Sequence, residues 1–388
     1  MLRVLTLSSL YPDASRPNFG VFVERQTLGL AAHPDVELKL VAPIGVPPWP
    51  LSRMGHYAAL SALPAHEVWK GVETWRPRFP NLPGTGGRFH ARMLTLRLKP
   101  LLRRIRRDFA FDVIDASFFF PDGVAAVALS RAFGVPVSIK ARGADIHHWG
   151  HSSATGGQVI AAGVAADGLL AVSDSMRTDM VALGMDAAKI RVHRTGVDLD
   201  RFAPRDRAAA KAALGIAGPL VASVGALIPR KGHEIVIEAM AALPGVRLMI
   251  AGEGPERPRL AAQIARLGLS DRVTLIGSVA HDTLPDLLTA SDVMALASSS
   301  EGLANAWVEA LASGTPVVIP DAGGARELVT APDHGRIVAR TAAAFAEAIG
   351  GLIAEPPSSD AVRTGAAGFT WEANSAALYD HLVGLVRG

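Results

Sequence analysis

The sequence predicts an α/β protein made of two doubly wound domains in series, facing each other across a central cleft. Three observations carry this. Short runs rich in Val, Ile and Leu alternate with longer Ala/Leu-rich stretches through both halves of the chain. The runs are apolar throughout rather than alternating, as parallel strands covered on both faces by helices must be. The 388 residues, 49% hydrophobic and 19% charged, suffice for two domains that each bury a core.

In chain order, the first half holds strand candidates at VLTLSS, VELKLVAP, DVIDAS, VSIKARG, GLLAVS and IRVHRTG. The opening MLRVLTLSSLYP is read as the first strand, not a signal peptide. Its apolar stretch is short, broken by Thr6 and Ser8, and ends in Tyr11-Pro12 without a small-residue cleavage site. The second half holds LVASVG, VRLMIAG, RVTLIG, VMALAS, PVVIPDA and GRIVA. Between the halves lies GVDLDRFAPRDRAAAKAALGIAGPL, with Pro204, a charged run and Gly-Pro before a fresh strand. Residues 1–200 therefore form one Rossmann-like domain and 201–369 a second. The tail 370–388 reads as a helix packing back toward the first. Open parallel sheets bind ligands beyond the carboxyl ends of their strands. A cleft with strand ends on both walls suits a two-part ligand, or a donor and an acceptor.

Composition excludes several chemistries. Cysteine is absent, so disulfides, thiolate metal sites and a Cys nucleophile are ruled out, which fits a reducing compartment. No apolar run approaches the ~20 residues of a spanning helix, so a cytoplasmic protein is expected, with a peripheral place on the inner membrane face. Net charge is +3, unevenly spread. Arg88 to Arg107 hold eight basic residues and no acid.

Three motifs follow strands in the second half. The first is SSSEGLANAWVEALASGTPVV, a loop and then a helix, with Glu301 and Glu309 eight positions apart. A fully helical span of that length rises about 12 Å, whereas glycosidase carboxylate pairs sit roughly 5–9.5 Å apart. The spacing argues against a proton-sharing pair and for two contacts to separate parts of one long ligand; a solvated helix face is the plain alternative. The second motif is VGALIPRKGHE, where Arg230 and Lys231 offer charge for a diphosphate and Gly232 permits close backbone approach. The third is PVVIPDAGGAREL, where Gly323-Gly324 precede a helix start, a natural anion site or simply a turn.

In this order and register the three motifs resemble the retaining, nucleotide-sugar-dependent glycosyltransferases of family 4, which have the GT-B fold. Glu301 through Glu309 match the family's E-x7-E signature, followed by the EALASGTPVV continuation and the GG-x-x-E turn. VGALIPRKG resembles its phosphate-binding segment, and DRVTLIGSVAHDTLPDLLTASDV the stretch before the signature. The resemblance extends to LSSLYPDASRPNFGVFVERQ, FFFPDGVAA and VSDSMRTDMVALGMDAAKIRVHRTGVDLDRF, nearly the whole chain.

The resemblance implies transfer of a hexosyl or related sugar from a nucleotide sugar to a glycan or lipid-linked acceptor. Polysaccharide or glycoconjugate biosynthesis is the implied setting, without metal or other cofactor. The first domain would bind acceptor and the second the donor. Glu301 would hold sugar hydroxyls, Glu309 the ribose, and Lys231 with Arg230 the leaving diphosphate. Amides from Gly302 through Leu303, Ala304 and Asn305 would support sugar and phosphate. Gly277 and Val279 would lie at the base, with Gly323 and Gly324 by the phosphate and Gly20 permitting close approach in the first domain. Two positions depart from the pattern. Ala226 stands where many relatives have Arg, and Arg142-Gly143-Ala144-Asp145 replaces a His-Gly-Ser-Asp-like segment. Arg142 and Asp145 are then candidates for acceptor or phosphate contact. An epimerase on the same fold and a non-catalytic sugar-nucleotide binder are the alternative functions.

Other signals are weaker. Asp198 and Asp200 imitate metal-binding carboxylates but sit in the connector. Asp145, His147, His148 and His151 have no second cluster to complete a zinc site. The glycines of AGEGPE lack dinucleotide-binding spacing. The Arg88–Arg107 stretch has two readings. One is an exposed helix with Leu94, Leu98, Leu101, Leu102 and Ile105 inward and Pro100 bending or breaking it. The other is an amphipathic segment attracted to an anionic membrane surface. Nucleic acid is not expected, since no stacking platform accompanies the charge.

Overall fold

The computed structural model describes all 388 residues, which divide into two compact units: Met1–Gly196 with Trp371–Gly388, and Val197–Thr370. The first unit contains β1 (Leu2–Leu7), β2 (Val36–Val41), β3 (Ile44–Val46), β4 (His66–Trp69), β5 (Val72–Trp75) and β6 (Arg78–Pro80). It continues with β7 (Val113–Ala116), β8 (Val137–Ala141), β9 (Gly168–Ala171) and β10 (Ile190–Val192). Eight of these form one sheet in the order β10-β9-β8-β7-β1-β2-β5-β4. Its order reverses between β1 and β7. The central strands β7, β8 and β9 are buried at every position, as strands covered on both faces are, with Asp115, Ser138 and Lys140 buried among the apolar residues. The closing helix Trp371–Arg387 packs on the helix Val21–Ala31, and its Leu378 and Leu382 join Leu2, Val4, Leu30 and Val113 in one core.

Four strands of this unit are not visible in the sequence reading. β4 and β5 form an antiparallel edge hairpin whose turn, Lys70-Gly71, takes φ of 46° and 89°. Two successive positive φ values make the tight hairpin turn that matches strand twist, but Lys-Gly is not its usual signature. β3 and β6 are three residues each and form a separate two-stranded sheet.

The basic stretch is one uninterrupted helix, His90–Asp108, with Pro100 exposed inside it. Pro100 therefore does not break the helix. Ala91, Leu94, Leu98, Leu102 and Ile105 are buried at helical spacing, whereas Leu101 is half-exposed. That stripe packs on the helix Val124–Phe133 and on β6. The reading of an exposed helix with an inward apolar stripe therefore describes it, Leu101 excepted. Its outer face carries Arg92, Arg97, Lys99, Arg103, Arg104 and Arg107 together with the exposed Leu96.

The second unit holds β11 (Leu220–Val224), β12 (Arg247–Ala251), β13 (Val273–Gly277), β14 (Val293–Ala295), β15 (Val317–Pro320) and β16 (Gly335–Val338). All pair in parallel, in the order β13-β12-β11-β14-β15-β16. Val221, Ile250, Val293 and Val318 meet Val236, Ile237, Phe345 and Ile349 in its core. Each such side chain contributes about 1.5–3 kcal/mol on burial. The connector is held by its own charges. Asp206 caps the helix Arg207–Ala213 by accepting the Ala209 N–H at 3.0 Å, and Lys211 pairs with Asp292 at 2.6 Å. Strand order reverses between β11 and β14, the place at the carboxyl ends where open parallel sheets offer a ligand crevice.

Candidate functional site

The loops after β11 and β14 flank that crevice and are stitched together. The Ser299 N–H donates to the Arg230 carbonyl at 2.8 Å, and the Arg340 guanidinium donates to the Ala297 carbonyl at 2.8 Å. Gly232 has φ +67°, and a Cβ there would lie 2.1 Å from the Ala297 oxygen. Only glycine lets the two loops approach this closely.

This stitching brings Arg230, Lys231 and Glu301 together. Lys231 Nζ lies 2.5 Å from Glu301 Oε1, and Arg230 Nη1 lies 3.2 Å from Oε2. Glu301 is 8% exposed, Lys231 15% and Arg230 40% by side chain, so the charges grade outward from the carboxylate. Burial alone pushes the Glu301 carboxyl up, but the Lys231 and Arg230 charges outweigh it and hold the group below its ordinary range. The cluster is a buried anion with two cations, one of them open to a further anionic group.

Of the remaining donor-side candidates, Gly323 and Gly324 touch the Glu301 loop directly. Gly323 has φ +55°, and a Cβ there would lie 2.3 Å from the Glu301 carbonyl oxygen; the Gly324 N–H donates to the Gly302 carbonyl at 2.8 Å. The Gly-Gly turn after β15 thus seats the backbone of Glu301–Gly302. Leu303 and Ala304 are buried, and Asn305 begins the helix Asn305–Ala312. Glu309 lies on that helix, 13% exposed, with His281 Nδ1 at 4.0 Å. Gly277, φ +79°, ends β13 and its carbonyl accepts the Gly252 N–H at 2.8 Å; Val279 is half-buried in the next loop. Apart from Glu309, which lies within its helix, these positions lie at or after the ends of strands of the one sheet.

The structure adds residues that the sequence reading passed over. A Cβ at Gly252 would sit 1.9 Å from the Gly225 oxygen, and one at Gly254 2.3 Å from the Leu227 oxygen. The glycines of AGEGPE therefore support the Arg230-Lys231 loop from behind. Gly-x-Gly directly after a strand was the available signal. His233 is buried, bonds Ser223 Oγ at 3.0 Å, and is pushed down to about 4 by burial, so it is neutral at pH 7.

In the first unit, Gly20 has φ +73°, and a Cβ there would meet the Leu10 carbonyl oxygen at 2.5 Å. Arg142, half-buried after β8, donates through Nε to the Ser117 carbonyl at 2.6 Å and through Nη2 to Gln26 Oε1 at 3.1 Å, and lies over the Phe22 ring. Asp145 is fully buried and accepts the backbone N–H groups of Arg142, Gly143 and Phe119. Its carboxylate ties the loops after β7 and β8, which corrects the expectation that it contacts acceptor or phosphate. Behind Arg142, Lys140 is completely buried and donates to Gln26 Oε1 and His193 Nδ1, each at 2.8 Å. Asp122 accepts the Ser9 N–H at 2.6 Å across the β1/β7 reversal, and burial raises it to about 7. Of the other candidates, Asp198 pairs with Arg201, and His147 with Asp179 at 2.8 Å.

Comparisons with known proteins agree with this arrangement. The profile described as Glycosyl transferases group 1 matches residues 206–369, and that of Glycosyltransferase Family 4 matches residues 50–201. The teichuronic acid biosynthesis glycosyltransferase TuaC of Bacillus subtilis (strain 168) is 28% identical over 358 residues, 90% of this chain and 88% of that protein. A D-inositol 3-phosphate glycosyltransferase of Mycobacterium tuberculosis (strain ATCC 25177 / H37Ra) is 40% identical over 229 residues, 55% of this chain. That match spans 48%, about half, of the relative's length. The crystal structure of Anabaena HepE in complex with UDP-glucose superimposes with a TM-score of 0.75 at 21% identity, covering 99% of this chain and 100% of that one. The strand orders, the signature and these matches converge: the chain has the GT-B fold and belongs to the family 4 glycosyltransferases.

Proposed function

We propose that this glycosyltransferase uses a nucleotide sugar as donor, bound at the carboxyl ends of β11 and β14, and retains anomeric configuration. The observation that carries the reading is the Arg230–Lys231–Glu301 cluster at the reversal of strand order. A departing nucleoside diphosphate gains negative charge as the glycosidic bond breaks. Lys231 spends one of its three donors on Glu301, which leaves others for a diphosphate oxygen. Arg230 adds a second charge from the open side, and the amides following Gly302 add dipoles. Such preorganised groups stabilise the leaving group without a metal or other cofactor. Glu301 then holds the sugar hydroxyls and Glu309 the ribose. The UDP-glucose bound by HepE supports a sugar nucleotide as the donor class.

The acceptor is a glycan or a lipid-linked glycan, handled by the first unit, with Arg142 as a contact. The teichuronic acid biosynthesis for which the Bacillus relative is named supports an acceptor of polysaccharide biosynthesis. A lipid-linked acceptor would bring the protein to the inner face of a membrane; no helix of the structure is long and apolar enough to cross one.

A thermal-shift screen of nucleoside diphosphates and their sugars, followed by turnover with the best donor and NMR of the product anomer, tests the reading. Stabilisation by a nucleoside diphosphate and a product of unchanged anomeric configuration are expected. An inverted product, or nucleotide binding unaffected by Lys231→Ala, would overturn it.

A further inference from the structure

The basic helix His90–Asp108 buries its apolar stripe and leaves Leu96 exposed on its outer side, and further large apolar side chains stand exposed in the segment that leaves β3. Trp49 is 78% exposed, Leu51 45% and Met54 59%, all within the six residues Trp49 to Met54. Arg53 is exposed among them. This segment leaves β3 three residues after Val46, and β3 pairs with β6. Arg78 of β6 joins both sides. Its guanidinium donates to carbonyls at the end of the helix His56–Ala62, including Leu60, and its own carbonyl accepts Arg97 Nε at 3.1 Å. The apolar segment and the basic helix are thus two fittings on one small sheet. On the helix, Arg92, Arg97, Lys99, Arg103, Arg104 and Arg107 are exposed.

We propose that Trp49, Leu51 and Met54 form an interfacial anchor which, with the outer face of the basic helix, docks the first unit on an anionic lipid bilayer. The inference extends the membrane location offered above by naming what enters the lipid. Folded proteins leave large apolar clusters exposed chiefly where something covers them. Tryptophan favours the bilayer interface, where an apolar ring and a polar N–H are both satisfied. The neighbouring cations select the occupant: a single-sign basic face complements anionic headgroups and supplies the second of the two signals that stable peripheral binding takes. The cations attract and the apolar side chains hold.

The test is flotation of the full chain with phosphatidylcholine vesicles, with and without phosphatidylglycerol, in the absence of any sugar nucleotide. The wild type should float only with the anionic vesicles. The triple variant Trp49→Ser, Leu51→Ser, Met54→Ser should lose at least about tenfold in partitioning. Neutralising Arg92, Arg97, Lys99 and Arg103 to Gln should cost about fivefold per residue at low salt. Because the three apolar residues are exposed, the variant should keep its circular dichroism and melting temperature. Brominated lipid should quench a fluorescence component that Trp49→Phe removes. Wild-type flotation unchanged in the triple variant, or no quenching assignable to Trp49, would overturn the proposal. So would a wild-type dimer that the triple variant dissolves, since the patch would then be a protein interface. None of these readouts needs donor turnover, so failure of the sugar-transfer reading leaves this one testable.

Discussion

The two units carry the same doubly wound plan, yet their crevices are electrostatic opposites. In the second unit, Arg230 and Lys231 flank the strand-order reversal with graded exposure and hold Glu301 ionised. In the first, Lys140 of β8 is completely buried and bonded to Gln26 and His193, and Arg142 just beyond the strand is half-buried and tied to the Ser117 carbonyl and Gln26. Burial pushes Lys140 well below its usual value and raises Asp115 to about 6 and Asp122 to about 7. One unit presents cations to a ligand; the other absorbs its cation into its own architecture. The difference teaches that a parallel sheet supplies only the place for a site. The polarity of the loops beyond it decides whether a diphosphate is welcome, and here it favours the second unit.

The sharpest way to break this contrast is to move charge on each side. Lys231→Met and Glu301→Gln should lower turnover by about 10²–10³-fold, the usual effect of removing a charge-stabilising group. Lys140→Met should leave donor affinity unchanged, as measured by calorimetry with the nucleoside diphosphate. If Lys140→Met abolishes donor binding and Lys231→Met does not, the assignment of units is reversed.

Acid should act differently on the two units. In the second, buried His233 is depressed, whereas in the first the depressed His193 and His381 are opposed by the raised Asp115 and Asp122, which gain stability as pH falls. His233 in the second unit and His381 in the first are buried and pushed down to about 4. A depressed histidine favours the neutral folded form. Its contribution is fully present above the unfolded pKa near 6.5 and is lost as pH falls toward 4. Each should cost about 3 kcal/mol across that window. Urea unfolding at pH 7.5 and pH 4.5 measures it, and His233→Gln should flatten the dependence of the second unit. A pH-independent midpoint would remove this account.

A smaller effect separates structure from chemistry. Lys140→Met leaves His193 Nδ1 without its donor, at a cost of about 1–3 kcal/mol in stability. Thermal unfolding should show that loss while the turnover rate at saturating donor stays near wild type. A normal melting temperature with lost turnover would instead make Lys140 part of the chemistry.

The twelve parallel strands that the sequence reading found were legible because most are rich in Val, Ile and Leu and bounded by Gly, Pro or polar residues, and such runs have few other fates. The hairpin His66–Trp75 was not: its strands are four residues each, only β5 is largely buried, and their turn requires Lys70 to take a positive φ. At the candidate site, the motif order pointed to Glu301, Lys231 and Gly323 separately. That the Gly323 turn seats the Glu301 backbone, and that Gly252 and Gly254 brace the Lys231 loop, are contacts between residues tens of positions apart. Asp145 shows the converse failure. A carboxylate in a motif looks available until its backbone partners are seen.

By itself, the sequence determined the chain's class, its division near residue 200, the family signature and the location of the basic stretch. These rest on local composition and spacing, which the chain carries unfolded or folded. Only the tertiary structure decided which charges face solvent. It turned Leu94, Leu98 and Leu102 inward and left Trp49, Leu51 and Met54 outside. It spent Lys140 on Gln26 and His193 while keeping Arg230 open. The physical reason is that burial and pairing are properties of neighbours brought together by folding, and electrostatic character follows from both.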